Sequence, residues 1–158
     1  ESFATFVGRV GSAEFFCTRQ GGGPDTVKCV CARARWRDEI RFSRFLDELV
    51  AELVAIYAST DLTAEEKLRD RSTLFANSQR RFRTDVQPIF EAQTFSSFLS
   101  TPLNNATLLS RMVYYHRLYD FDALLQAHQG NLGDAVAALK VSAEDVRDPY
   151  TLLPQAPR

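Results

Sequence analysis

The chain has 158 residues, 45% hydrophobic and 25% charged, which supports a globular core and excludes a fully disordered or fibrous chain. Its 19 basic and 20 acidic side chains leave a formal charge of -1, which excludes nucleic-acid binding by bulk charge. No apolar run approaches the ~20 residues that span a bilayer, and the 7 glycines and 6 prolines are too few and too clustered for a sandwich or barrel.

The expectation is an all-α fold, a single helical domain over 1–158 with 148–158 as tail. Glu1-Ser2-Phe3-Ala4-Thr5-Phe6-Val7 already reads as the inside of a helix, with neither an initiating Met nor an N-cap ahead of it. The chain is therefore expected to be a segment of a longer protein. The first helix runs to about Arg19, with Phe3, Phe6, Val7, Val10, Ala13 and Phe16 or Cys17 on a buried stripe. Gly8 and Gly11 sit inside it and suggest a close backbone neighbour, since each costs roughly 1 kcal/mol relative to Ala. Gly21-Gly22-Gly23-Pro24 then breaks the chain.

A long helix is predicted from about Thr26 to Ala58, with Phe42, Leu49 and Ile56 seven apart and Phe45, Leu46, Val50 and Leu53 on the same side. After the break at Ser59–Leu62, Thr63-Ala64-Glu65-Glu66 has the form of a capping box. The helix it opens carries Leu68, Phe75, Phe82 and Ile89 at heptad spacing and ends or kinks at Gln87-Pro88. Two such helices on a short link should form a long antiparallel hairpin, packed on shorter helices. Thr94–Pro102 reads equally as a short helix or a loop. A helix follows from Leu103 to Tyr119, then a shorter one capped at Asp120–Asp122 and closed by Gly130. Asn131 caps a last helix to about Lys140, and 142–145 starts a final turn.

Cys17, Cys29 and Cys31 do not form a zinc set, which wants four donors in paired spacing. Cys17 and Cys29 flank the glycine turn, which leaves two readings open: buried thiols, or a disulfide in an oxidising compartment. Arg33, Arg37, Arg41 and Arg44 form one stripe on the long helix. The interleaved Asp38, Glu39, Asp47 and Glu48 favour an ion-paired face over a phosphate or lipid patch. No nucleophile elbow, phosphate loop or dinucleotide fingerprint is present, and on its own residues the domain has no complete active site.

The opening Glu1-Ser2-Phe3-Ala4-Thr5 resembles the second zinc motif of the glutamate-zinc (gluzincin-like) metallopeptidases. There an H-E-x-x-H helix supplies two histidines and a glutamate on a later helix supplies the third ligand. The nearer resemblance is to a bacterial family of predicted zinc aminopeptidases, with H-E-x-A-H, then N-E-S-F-A-T, then a helical carboxy-terminal part. It extends to Thr101-Pro102-Leu103-Asn104-Asn105-Ala106 and Val113-Tyr114-Tyr115-His116, and so covers most of the chain.

This resemblance implies a peptide substrate and a zinc cofactor in the intact protein, with Glu1 as the third metal ligand. The metal would polarise the scissile carbonyl and acidify its bound water. H-E-x-x-H is absent from these 158 residues. The two histidines are therefore expected from the amino-terminal part of the same protein, and this segment alone is expected to hold no zinc and to be inactive. Tyr114, Tyr115 and His116 are implied candidates for stabilising the oxyanion, and Asn104 and Asn105 for lining the substrate groove. A periplasmic or membrane-anchored parent fits the resemblance. The reading expects Glu1 at the mouth of a groove, facing Tyr114, Tyr115 or His116. The competing reading is a helical protein-interaction module with no catalytic role.

Overall fold

A computed structural model describes residues 1–143 and 146–155, and among them the fold is all-α with no strand. Helix α1 (Ser2–Thr18) buries Phe6 and Val10, while Phe3 stays exposed, so the predicted stripe is only partly covered. Neither glycine of α1 meets a close backbone. Gly8 faces open space, and at Gly11 a Cβ would meet only the Leu132 side chain, at 3.6 Å. The following turn places Gly21 and Gly23 at φ 71° and 144°, conformations open to glycine without strain. Of the two readings of the cysteines, the structure forms the disulfide. Cys17 and Cys29 are bridged with their Cα atoms 4.8 Å apart, and Cys31 is a free, half-buried thiol.

Helix α2 (Val27–Ala58) starts where Thr26 accepts from the Cys29 amide. Helix α3 (Ala64–Arg81) opens on the predicted capping box: the Glu66 amide donates to Thr63 Oγ1, and the Thr63 amide donates to Glu66 Oε2. The two helices run antiparallel. Lys67, early in α3, donates to the carbonyl of Tyr57 late in α2, and Arg81 at the far end reaches Glu48 and Glu52. The seam closes at Phe75 and Phe82, whereas Leu68 and Ile89, at its predicted ends, are half exposed. From Phe82 the chain widens into a π-helical turn (Phe82–Val86) and then tightens into a 3-10 turn (Gln87–Ile89), at the break that Pro88 imposes.

Within the ambiguous stretch, Ser97–Ser100 forms the one-turn helix α4, with Phe98 fully buried. Helix α5 (Asn105–Tyr115) stops four residues earlier than predicted. His116 is extended and Arg117 is left-handed at φ 53°. Helix α6 (Leu118–Ala127) begins at once, so Asp120 lies inside its first turn instead of capping it. Gly130 closes α6 by donating to the Leu125 carbonyl, and Asn131 caps helix α7 (Leu132–Ser142) by accepting from the Asp134 amide. The turn expected at 142–145 lies partly outside the described residues. In the stretch expected as tail, Pro149–Leu152 forms a 3-10 turn and Leu153 is buried.

Two apolar clusters share α2. Its first half, through Trp36, packs with Phe6 of α1, Phe121 of α6, Ala135 of α7 and Leu153. Its second half forms an aromatic cluster in which Phe42 stacks on Phe95 with centroids 4.2 Å apart and Phe82 meets Phe98 at 4.8 Å. Such pairs add about 0.5–1.5 kcal/mol each beyond burial. Among the described residues no helix is long and apolar enough to cross a membrane.

Candidate functional site

Glu1 occupies the N-cap position of α1 with its side chain exposed and making no capping bond, while its carbonyl accepts from the Thr5 amide at 2.9 Å. The next residue, Ser2, is fully buried. Its Oγ donates to the Val113 carbonyl and accepts from the His116 amide, at 3.3 and 3.2 Å. One hydroxyl thereby ties the beginning of α1 to the end of α5, and brings Glu1 into the neighbourhood of the Tyr-Tyr-His segment.

His116 is held from two sides. Its Nδ1 lies 2.6 Å from Asp47 Oδ1 on α2, and its ring meets Tyr150 edge-on at 4.9 Å. An ionised carboxylate only accepts, so Nδ1 carries the proton and Nε2 is the ring's remaining polar atom. The other Asp47 oxygen accepts from the Arg117 amide, and Ser43 Oγ accepts from the Leu118 amide. These two α2 side chains provide the partners that let the helix stop at His116. Tyr119 sits beside Asp47, and its phenol is pushed up to about 12, first by burial and then by the charges of Asp47 and Asp120.

Glu1 lines a cavity of about 550 Å³. Phe3 of α1 and Phe121 of α6 form one wall, and Val136, Leu139, Lys140 and Ala143, at helical spacing along α7, form another. Tyr150 and Leu152–Leu153 close it. Tyr150 lines this cavity and meets the His116 ring, whereas Tyr114, Tyr115 and His116, expected to face Glu1 across a groove, do not line it.

The other predicted site residues lie elsewhere. Tyr114 is 50% exposed. Tyr115 turns away from Glu1 to pack on Phe42 and Phe95, and lines a polar cavity of about 420 Å³ with Arg9, Arg35 and Gln93. Burial raises its phenol. Asn104 is the N-cap of α5, in a reciprocal box with Thr107, and Asn105 donates to the Tyr57 hydroxyl at 2.9 Å. Both asparagines line a third cavity, against Arg71, Phe75 and Gln79 of α3, and not the one that Glu1 lines.

Beneath the polar cavity lies a fully buried carboxylate, Glu39. Its Oε1 accepts from Arg9 Nε at 2.8 Å and Gln93 Nε2 at 3.1 Å, and its Oε2 has no partner among the described residues. Burial raises the carboxyl by more than Gln93, Arg9 and Arg35 lower it. A carboxyl raised on folding contributes stability that is complete below its unfolded value and is lost as pH rises through the folded one. Glu39→Gln stays neutral, so the wild type is expected to lose stability relative to this variant as pH rises above the ordinary carboxylate value of 4.5. Denaturant midpoints of both proteins over that rise check it, and parallel curves would contradict it.

Within the arginine stripe Arg37 and Arg41 are ion-paired, mainly not along their own helix. Arg37 and Arg41 both reach Glu91, whose carboxyl they hold at about 2, and Arg41 also reaches Asp38 at 3.1 Å. Arg44 lies over the Tyr119 ring.

Among the described residues no group of three or more His, Cys, Asp or Glu side chains stands placed to hold a metal ion. Zinc takes three or four protein donors. Glu1 is a single carboxylate, one donor of such a set. Sequence reasoning missed the roles of Ser2, Asp47 and Tyr150; Ser2 lies inside the opening motif, and Asp47 and Tyr150 belong to none.

A family model described as "Putative aminopeptidase" matches residues 1–148 of the chain. No curated protein and no solved structure matches it.

Proposed function

The chain belongs to this aminopeptidase family, and on that premise we propose that it is the helical part of a zinc-dependent aminopeptidase. Glu1 supplies one metal ligand, and an H-E-x-x-H helix outside these 158 residues supplies the others. The observation that supports the reading is the Ser2 bridge, which ties the residue after Glu1 to the Val113 carbonyl and the His116 amide. Asp47 orients the His116 ring through Nδ1, and Nε2 can donate to a substrate oxyanion in the imidazolium form, in which both ring nitrogens carry a proton. Tyr114, half exposed on the adjoining turn of α5, is the second candidate for that oxygen. Tyr115, directed into the aromatic cluster, is the weakest of the three.

The test uses the intact protein with its amino-terminal part. It is expected to release the first residue of peptides with a free amino terminus, and to stop when zinc is chelated. Glu1→Gln is expected to lose bound zinc and hydrolysis together. His116→Phe is expected to keep zinc while kcat falls ~10²-fold or more, the usual loss for an oxyanion donor. Full zinc content and activity in Glu1→Gln would overturn the assignment.

A further inference from the structure

We propose that the cavity beside Glu1 receives the side chain of the peptide's amino-terminal residue and selects a large apolar one, of leucine to phenylalanine size. This rests on the aminopeptidase reading above and adds the substrate class.

Three observations carry it. The first is size. About 550 Å³ is within the range of pockets that enclose small ligands, room enough for a leucine or phenylalanine side chain. The second is chemistry. Phe3, Phe121, Val136, Leu139 and Leu153 present hydrocarbon, and only Glu1 and Lys140 bring a charge to the lining. A polar or charged side chain entering there would lose its water with few partners to replace it, whereas an apolar one gains on transfer. The third is placement. Glu1 is both a lining residue of the cavity and the group that the reading sets at the reacting centre. An aminopeptidase cleaves the bond next to the first residue, so the side chain of that residue extends from the metal into whatever space adjoins it. Here that space is this cavity.

The cavity is shaped by elements brought together from three parts of the chain. The α7 face at Val136, Leu139, Lys140 and Ala143 forms its long side, and the Pro149–Leu152 turn folds over to complete it. Ala143, exposed at the carboxy-terminal end of α7, stands at the edge and can be enlarged without disturbing a buried residue.

The experiment has two readouts on the intact protein. In the zinc-loaded form, kcat/KM is measured on dipeptides whose first residue is Ala, Leu, Phe or Asp. Leu and Phe are expected to exceed Ala by at least ~10-fold, since each buried methylene is worth roughly that order. Ala143→Phe is expected to lower the Leu-to-Ala ratio by about the same factor. In the metal-free form, leucinamide is titrated while the methyl resonances of Val136, Leu139 and Leu152 are followed, and saturable shifts at these methyls are expected. Zinc-dependent hydrolysis with no preference among first residues, or an absence of methyl shifts, would overturn the pocket while leaving the peptidase reading intact. Methyl shifts without any zinc-dependent hydrolysis would instead bring down the peptidase reading, and with it the identity of the occupant.

Discussion

Asp38→Ala is expected to destabilise the domain by about 3–5 kcal/mol, the range for removing one partner of a buried charged hydrogen-bonded group. Asp38 is fully buried on α2. Its carboxylate accepts from three successive backbone amides of the loop after Pro88: Glu91 at 2.9 Å, Ala92 at 2.7 Å and Gln93 at 3.0 Å. Arg41 adds a fourth donor at 3.1 Å. Alanine would leave three amides without an acceptor, at about 1–3 kcal/mol for each that stays buried. It would also release the loop that delivers Phe90 and Phe95 to the aromatic cluster. Asn at the same position keeps one acceptor oxygen and should cost less. Urea unfolding measures both variants, and a loss below about 1 kcal/mol for Asp38→Ala would show that the loop is held by other contacts.

Removing the Cys17–Cys29 bridge is expected to cost about 3 kcal/mol, the loop-entropy value for a closed loop of this length class. The half-cystines are 12 residues apart and enclose the glycine turn, whose reduced form has large backbone freedom to lose on folding. At the scaling for a domain of this size, that loss lowers Tm by about 6–12 °C. Thermal melts of oxidised wild type and Cys17→Ala check it. An unchanged Tm would mean that the bridge does not form or that the turn is already ordered without it. Cys31 lies outside the bridge, so Cys31→Ser serves as the control.

Much of the fold was legible in local chemistry. Thr26, Thr63 and Asn131 announce helix starts because a short polar side chain that caps an amide is a local signal. The glycine-proline turn and the Gln87-Pro88 break are local for the same reason. The stop at His116 was not legible, because its partners, Asp47 and Ser43, lie on α2 about 70 residues away and no Gly or Pro marks it. Asp38 and Glu39 illustrate the same limit. Helical spacing offered them to the arginines of their own helix, and only tertiary structure shows that one caps a distant loop and the other pairs with Arg9 of α1.

The candidate site divides in the same way. Glu1 and His116 were named from a motif, and Tyr150 meets the His116 ring and lines the cavity that Glu1 lines, but Tyr114, Tyr115 and His116 do not line that cavity, and Asn104, Asn105 and Tyr115 line others. The cavity wall was missed because Tyr150–Leu153 reads as a tail by composition and becomes a wall only after folding against α6 and α7.

Ligation of zinc by Glu1 is tested by X-ray absorption at the zinc edge of the intact protein. Two imidazole nitrogens and a carboxylate oxygen are expected around the metal at ~2.0–2.2 Å, with that oxygen lost and zinc occupancy falling in Glu1→Gln. An identical first shell in wild type and Glu1→Gln would contradict it.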